Sequence, residues 1–139
     1  MSIINKQLVW EDKYSVGVEQ IDNQHKKMFA VINDLVSAIN SKPTEEKLSA
    51  IIKSLIEYKK FHFATEEKYF KEFNYDGAAD HIAKHHEFSQ KLEEIESKYV
   101  GDVVGLAFEL VDFLEDWLIE HLMIIDQKYV PCFKAHGLK

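Results

Sequence analysis

The sequence carries seven histidines, and five of them fall in patterns that a metal ion can use. His62 and Glu66 stand four apart in FHFATEEKYF, and His81 and His85 stand four apart in HIAKHHEF. On an α-helix a step of four turns a side chain by about 40°, so each pair points one way like a pincer. His25 stands alone in IDNQHKKMF, and His121 and Asp126 stand five apart in WLIEHLMIIDQKY. Imidazole nitrogens combined with carboxylate oxygens suit iron, with zinc and manganese left open by ligand type.

Those residues need helices to position them, and the sequence supplies four. Apolar residues recur at spacings of three and four from Gln20 to Ile39, the pattern of an amphipathic helix. Ser41, Lys42 and Pro43 stop it, and Thr44 before Glu45 and Glu46 makes an N-cap. The expected helices run over about 20–40, 45–73, 78–98 and 103–129, with turns at Asn74–Gly77 and at Val100–Asp102. Residues 1–18 read as an N-terminal arm that contains Trp10 and an SVGV turn, and residues 131–139 read as a short C-terminal tail after Pro131. Short connections between long helices imply an all-α, up-down-up-down antiparallel four-helix bundle, one domain over residues 1–139.

Chain rise alone tests whether the candidate ligands meet. His25 lies 16 residues before Ser41 and His62 lies 18 after Thr44, roughly 24 and 27 Å from the first turn at about 1.5 Å per residue. Glu66 lies eight residues before Asn74 and His85 eight after Gly77, both about 12 Å from the second turn. His81 lies 18 residues before Tyr99 and His121 19 after Asp102. Six positions on four helices thus fall in one slab. Asp126 is harder to place, because five residues turn an ideal α-helix by about 140° from the His121 direction. A local π-turn between His121 and Asp126 would bring the two onto one site.

A lone core histidine is more often hydrogen-bonded to a neighbour than to a metal. Five at one height with two acids reverse that balance, since burying so many polar groups unpaired costs several kcal/mol. His86 points about 100° away from His85 and His136 falls in the tail, so both are expected in solvent. Glu67 and Glu120 neighbour ligands but fall on other helix faces, and are read as surface or supporting groups. Cys132, the single cysteine, reads as a small hydrophobe near the end of the last helix and excludes an internal disulfide.

Composition bounds the remaining classes. The net charge of −7 argues against nucleic acid, which needs a basic face. No apolar run approaches the roughly 18 residues of a membrane span, and the N-terminus does not read as a signal peptide. A cytoplasmic protein is expected, with no membrane insertion. No large apolar surface patch is evident, so a monomer is expected.

The order His, HxxxE, HxxxH, HxxxxD resembles that of the hemerythrin family, and the arm WEDKYSVGVEQIDNQHKKMF and the segment HFATEE look closer to its bacterial single-domain members. The resemblance covers essentially the whole chain. It implies two iron ions. His81, His85 and His121 would hold one, His25 and His62 the other, and Glu66 and Asp126 would bridge them beside an oxo or hydroxo group. It further implies reversible binding of O2 at the open position on the His25/His62 iron. Met28, Phe63, Phe88, Trp117, Leu118 and Leu122 lie near these ligands in sequence and are expected to line an O2 pocket, which Trp10 would help to close. The implied role is oxygen carriage, storage or delivery to an oxygen-consuming enzyme, not catalysis, because no general acid or base and no sizeable substrate pocket are evident beside the metals. A di-iron redox enzyme is one alternative. An oxygen or nitric-oxide sensor is another, although such modules are expected to be tethered to a further domain.

Overall fold

The computed structural model describes residues 8–139. The part of the expected arm that precedes Leu8 lies outside the described residues. Helix α1 spans Glu19–Ser41, α2 Glu45–Glu72, α3 Ala78–Lys98 and α4 Val103–Trp117. Helix α1 packs on α2 and α4, and α3 packs on the same two, the neighbour relations of an up-down-up-down bundle. The predicted cap of α2 forms, with the Thr44 hydroxyl accepting from Lys47 N at 3.2 Å, and α4 is capped in the same way by the Asp102 carboxylate, which accepts from Gly105 N at 2.9 Å. Each satisfies a backbone N–H that the first helical turn leaves free. Gly101 makes the turn between α3 and α4 at φ +80°, a conformation that glycine adopts without steric cost.

The fourth helix departs from the expected single run to Tyr129. After Trp117 the chain winds as a π-helix over Leu118–Ile125 and as a 3-10 helix over Asp126–Tyr129, and then forms a further α-helix, α5, over Val130–Ala135. Pro131 therefore does not end helical structure. It sits in the first turn of α5, where a missing N–H costs nothing because no partner is due there. The expected tail is part of the fold, since Phe133 is 1% exposed. Cys132 is half-buried and packs beside it.

The described part of the arm is also fixed. Asp12–Tyr14 form a 3-10 turn, Val16 N donates to Asp22 Oδ1 at 2.8 Å, and Asn33 holds Leu8 through both its N–H and its C=O. Trp10 meets Phe29 edge-on at 5.4 Å and Tyr14 at 5.7 Å, and the Lys26 ammonium lies 5.2 Å from its ring.

Among the described residues, buried side chains form two apolar clusters. The larger includes Met28, Tyr58, Phe63, Phe88, Leu118 and Leu122. The smaller joins Val16, Val18, Ile21, Phe70, Tyr129 and Phe133. Each of the four long helical runs, the fourth counted through the π-helix and the 3-10 helix, crosses from one cluster to the other. Ile21 and Met28 flank His25, Phe63 and Phe70 flank Glu66, Ile82 and Phe88 flank His85, and Leu122 and Tyr129 flank Asp126. The polar slab is thus closed by hydrocarbon above and below.

Candidate metal centre

All seven candidate ligands are buried, at 0–3% exposure. Charged and polar side chains rarely reach this depth without partners. Two groups of donor atoms form. Glu66, His81, His85 and His121 make one, and His25, His62, Glu66 and Asp126 make the other, with donor atoms in each lying within 4.8 Å of one another. Glu66 belongs to both groups. Its Oε1 lies 3.0 Å from His85 Nε2 and 3.3 Å from His62 Nε2. Asp126 reaches both ways with separate oxygens. Oδ1 is 3.0 Å from the Nε2 atoms of His81 and His121, and Oδ2 is 3.0 Å from His25 Nε2.

The π-helix explains how Asp126 arrives there. The Asp126 N–H bonds to the His121 carbonyl, a step of five that widens the turn and carries both residues to one face. The rotation that troubles an ideal α-helix is absorbed in that one turn.

The site passes a chemical test of fit for a metal pair. Among the described residues, the Nε2 atoms of His25, His62, His81 and His121, both oxygens of Asp126 and Oε2 of Glu66 have no partner in hydrogen-bonding geometry despite their proximity. These atoms converge on common points rather than on each other, as ligand atoms do. On two rings the opposite nitrogen fixes the tautomer. His62 Nδ1–H donates to Gln24 Oε1 at 2.7 Å, and His85 Nδ1–H donates to Glu67 Oε2 at 2.8 Å. Both partners are acceptors, so the proton stays on Nδ1 and the Nε2 lone pair faces inward. The Gln24 amide is oriented by its own Nε2 donating to Thr65 Oγ1 at 3.1 Å.

Charge in the cluster is mutually compensated. Burial alone would raise the pKa of Asp126, and His121 and the other histidines outweigh it, holding the carboxyl well below its usual range. Burial and Asp126 would likewise raise Glu66, and His62, His81 and His85 hold it low. Burial tends to lower His81, but the adjacent Asp126 and Glu66 carboxylates raise it to about 9. His62 is lowered to about 4, chiefly by burial. Two phenols flank the cluster. Burial, followed by Asp126 and Glu66, holds Tyr58 well above 10, and burial, followed by Glu66 and Asp126, does the same to Tyr129.

The expected pocket residues Met28, Phe63, Phe88, Trp117, Leu118 and Leu122 are all buried in the larger apolar cluster. Phe63 stacks on His85 at 3.8 Å and Trp117 on His121 at 3.9 Å, while Phe88 meets both aromatic rings edge-on. His86, His136 and Glu120 are exposed, as expected. Glu67 lies off the Glu66 face and gains its role by reaching His85 on the neighbouring helix. Gln24 has no such local signal, because its partner lies 38 residues away. A surface cleft of about 410 Å3 between α3 and the π-helix reaches Trp117 and His121 and is otherwise lined largely by charged residues such as Lys84 and Glu87. This opening contrasts with the expectation that the sequence encodes no sizeable pocket.

Residues 16–133 match the family described as the hemerythrin HHE cation binding domain. The chain belongs to the hemerythrin family. Among curated relatives, the bacteriohemerythrin of Clostridium acetobutylicum is 31% identical over 126 residues, covering 88% of this chain and 98% of its own length. The bacteriohemerythrin of Pseudomonas aeruginosa strain PAO1 is 33% identical over 128 residues, 91% and 82% of the two chains. A hemerythrin-like protein of Naegleria gruberi is 30% identical over 120 residues, 86% and 88%. Hemerythrin membership accounts for the two donor groups, since the family binds a pair of iron ions, and it fits oxygen binding. Among the described residues no helix is long and apolar enough to cross a membrane.

Proposed function

We propose that this hemerythrin holds two iron ions and binds O2 reversibly, serving carriage, storage or delivery rather than catalysis. In this reading His81, His85 and His121 hold one iron and His25 and His62 the other. Glu66 and Asp126 would be shared by both ions, beside an oxo or hydroxo group. The observation that carries the reading is the unequal histidine count in two donor groups joined through carboxylates. Three imidazoles face one point and two face the other, which leaves a position for O2 on the His25/His62 side. A bridged ferrous pair supplies the two electrons that O2 takes up on binding and returns on release.

The remaining work belongs to the protein. Five neutral imidazoles and two carboxylates place less negative charge on the metals than a carboxylate-rich set would, which disfavours high-valent iron and O–O cleavage. Gln24 and Glu67 hold His62 and His85 in the tautomer that presents Nε2. Met28, Phe63, Phe88, Trp117, Leu118 and Leu122 exclude water, so a polar product of electron transfer finds few protons and little solvation. The α3 cleft reaches His121, on the side with the full histidine complement, and so does not offer a substrate the open position. The protein is proposed to act as a cytoplasmic monomer, with an oxygen-consuming enzyme as recipient.

The test is a spectral cycle. The iron-loaded protein is reduced, exposed to air and then deoxygenated while the visible spectrum is recorded. A charge-transfer band that appears with O2 and vanishes on its removal is expected. Immediate irreversible oxidation with release of peroxide would instead establish redox enzymology.

A further inference from the structure

Tyr58 lies one helical turn before His62 and stacks on that ring, with centroids 5.1 Å apart and planes at 22°. It is 6% exposed, and its hydroxyl, removed from solvent, has no hydrogen-bond partner among the described residues. A buried tyrosine hydroxyl ordinarily finds an acceptor, because desolvating it unpaired is unfavourable. A hydroxyl left without a protein partner beside a binding position is available to a ligand. The phenol is neutral at physiological pH and can donate its proton to a hydrogen bond. Of its neighbours in the same cluster, Met28, Phe63, Leu118 and Leu122 carry no hydrogen-bonding group, and the unpaired indole N–H of Trp117 belongs to a ring stacked on His121, in the group with three histidines.

The position matters because the two sides of the centre differ. Tyr58 stacks on His62, which belongs to the group with fewer imidazoles. The other buried phenol, Tyr129, differs in that it faces the shared Glu66 carboxylate. Its ring lies 5.6 Å from that of His81, in the group with three histidines, and stacks on Phe133 at 4.3 Å within the smaller apolar cluster.

We propose that Tyr58 is a specificity-determining residue. Its hydroxyl donates a hydrogen bond to a small ligand on the His25/His62 side, favouring ligands that present an anionic or strongly polarised acceptor atom. An apolar cage selects by size alone. A donor beside the His25/His62 position adds selection by charge, because hydrogen bonds to charged acceptors are the stronger class. The inference rests on the proposed open position at the His25/His62 iron.

Azide, a small linear anion, is the probe. Wild type, Tyr58→Phe and Tyr129→Phe are loaded with iron, oxidised and titrated with azide by visible absorption, and the metal-free proteins are melted in parallel. For Tyr58→Phe, azide affinity about tenfold weaker is expected. Normal iron loading and a metal-free melting temperature at or above wild type are also expected, since the substitution removes an unpaired hydroxyl. Tyr129→Phe, which alters a neighbour of the shared Glu66 carboxylate and not the His62 ring, should weaken azide binding distinctly less than Tyr58→Phe does. Azide affinity unchanged in Tyr58→Phe, or weakened equally in both variants, overturns the proposal. A lower metal-free melting temperature or incomplete iron loading in Tyr58→Phe also overturns it, by showing that the hydroxyl serves the fold or His62. If wild type takes up two irons yet binds neither azide nor O2, this proposal and the oxygen-binding reading fall together. If wild type binds O2 reversibly while Tyr58→Phe keeps full azide affinity, only this proposal falls.

Discussion

Replacing Glu67 by alanine removes the carboxylate that accepts from His85 Nδ1 at 2.8 Å while leaving every proposed ligand in place. A hydrogen bond with one charged partner contributes about 1.5–3 kcal/mol. The Glu67 side chain is 37% exposed, so water screens the charge and can replace part of the bond, which puts the loss at the low end. About 1.4 kcal/mol corresponds to a tenfold weaker metal affinity, the lower limit of the 10- to 100-fold typical for removing a histidine's outer partner. The assay is an anaerobic titration of metal-free protein with Fe2+ against a chelator of known affinity. Glu67→Gln keeps an acceptor without the charge and should fall between wild type and Glu67→Ala. Because the carboxylate is partly exposed, the wild-type advantage should shrink as salt rises. Affinities of all three proteins within twofold at low salt would refute the argument that Glu67 orients His85.

Other perturbations test separate parts of the molecule. Asp126→Ala removes the carboxylate whose two oxygens face opposite donor groups, and bound iron should fall from two ions to one or fewer by colorimetric assay while helical circular dichroism is retained. Leu118→Gln places an amide in the water-excluding cluster and should shorten the lifetime of the oxygenated protein in air; an unchanged lifetime would remove Leu118 from the gate. Phe133→Ala should cost about 3–5 kcal/mol of stability, measured by denaturant unfolding, whereas a true tail residue would cost almost nothing. The metal-free protein should be most stable near pH 6.5. His81, raised to about 9, contributes stability below its ordinary value that is lost as pH climbs through 9, and His62, lowered to about 4, favours unfolding as pH drops from 6.5 toward 4. Melting temperatures in chelator at pH 5, 6.5 and 9 check both slopes.

Most of the slab was legible because helical rise is nearly constant and loop positions mark where counting starts. That arithmetic placed His25, His62, Glu66, His81, His85 and His121 at one height, and the structure brings their donor atoms together. Asp126 was legible only as a conflict between pattern and period, and the conflict pointed to the π-turn that the structure contains. The end of the chain was misread because Pro131 marks equally well where a helix stops and where one begins. The difference lay in the burial of Phe133 against residues more than 60 positions earlier, such as Phe70. Gln24 was missed for a related reason. An amide that orients a ring across a helix interface leaves no periodic trace, since its partner is fixed by packing. The unpaired phenol of Tyr58 is a property of its surroundings, and a sequence holds no record of which hydroxyl fails to find an acceptor.

Because each long helix passes from one apolar cluster to the other through the polar slab, the two clusters touch chiefly across the histidines and acids. Without metal, the protein should behave as two short bundles stacked end to end. Amide hydrogen exchange would then divide the chain, with the end containing Val16, Phe70 and Phe133 opening independently of the larger cluster as a separate unit. Metal uptake would join the two, so protection should rise together at both ends although the ions contact neither. In this bundle the cofactor acts as a rivet, and the cooperativity of unfolding becomes a readout of whether it is in place.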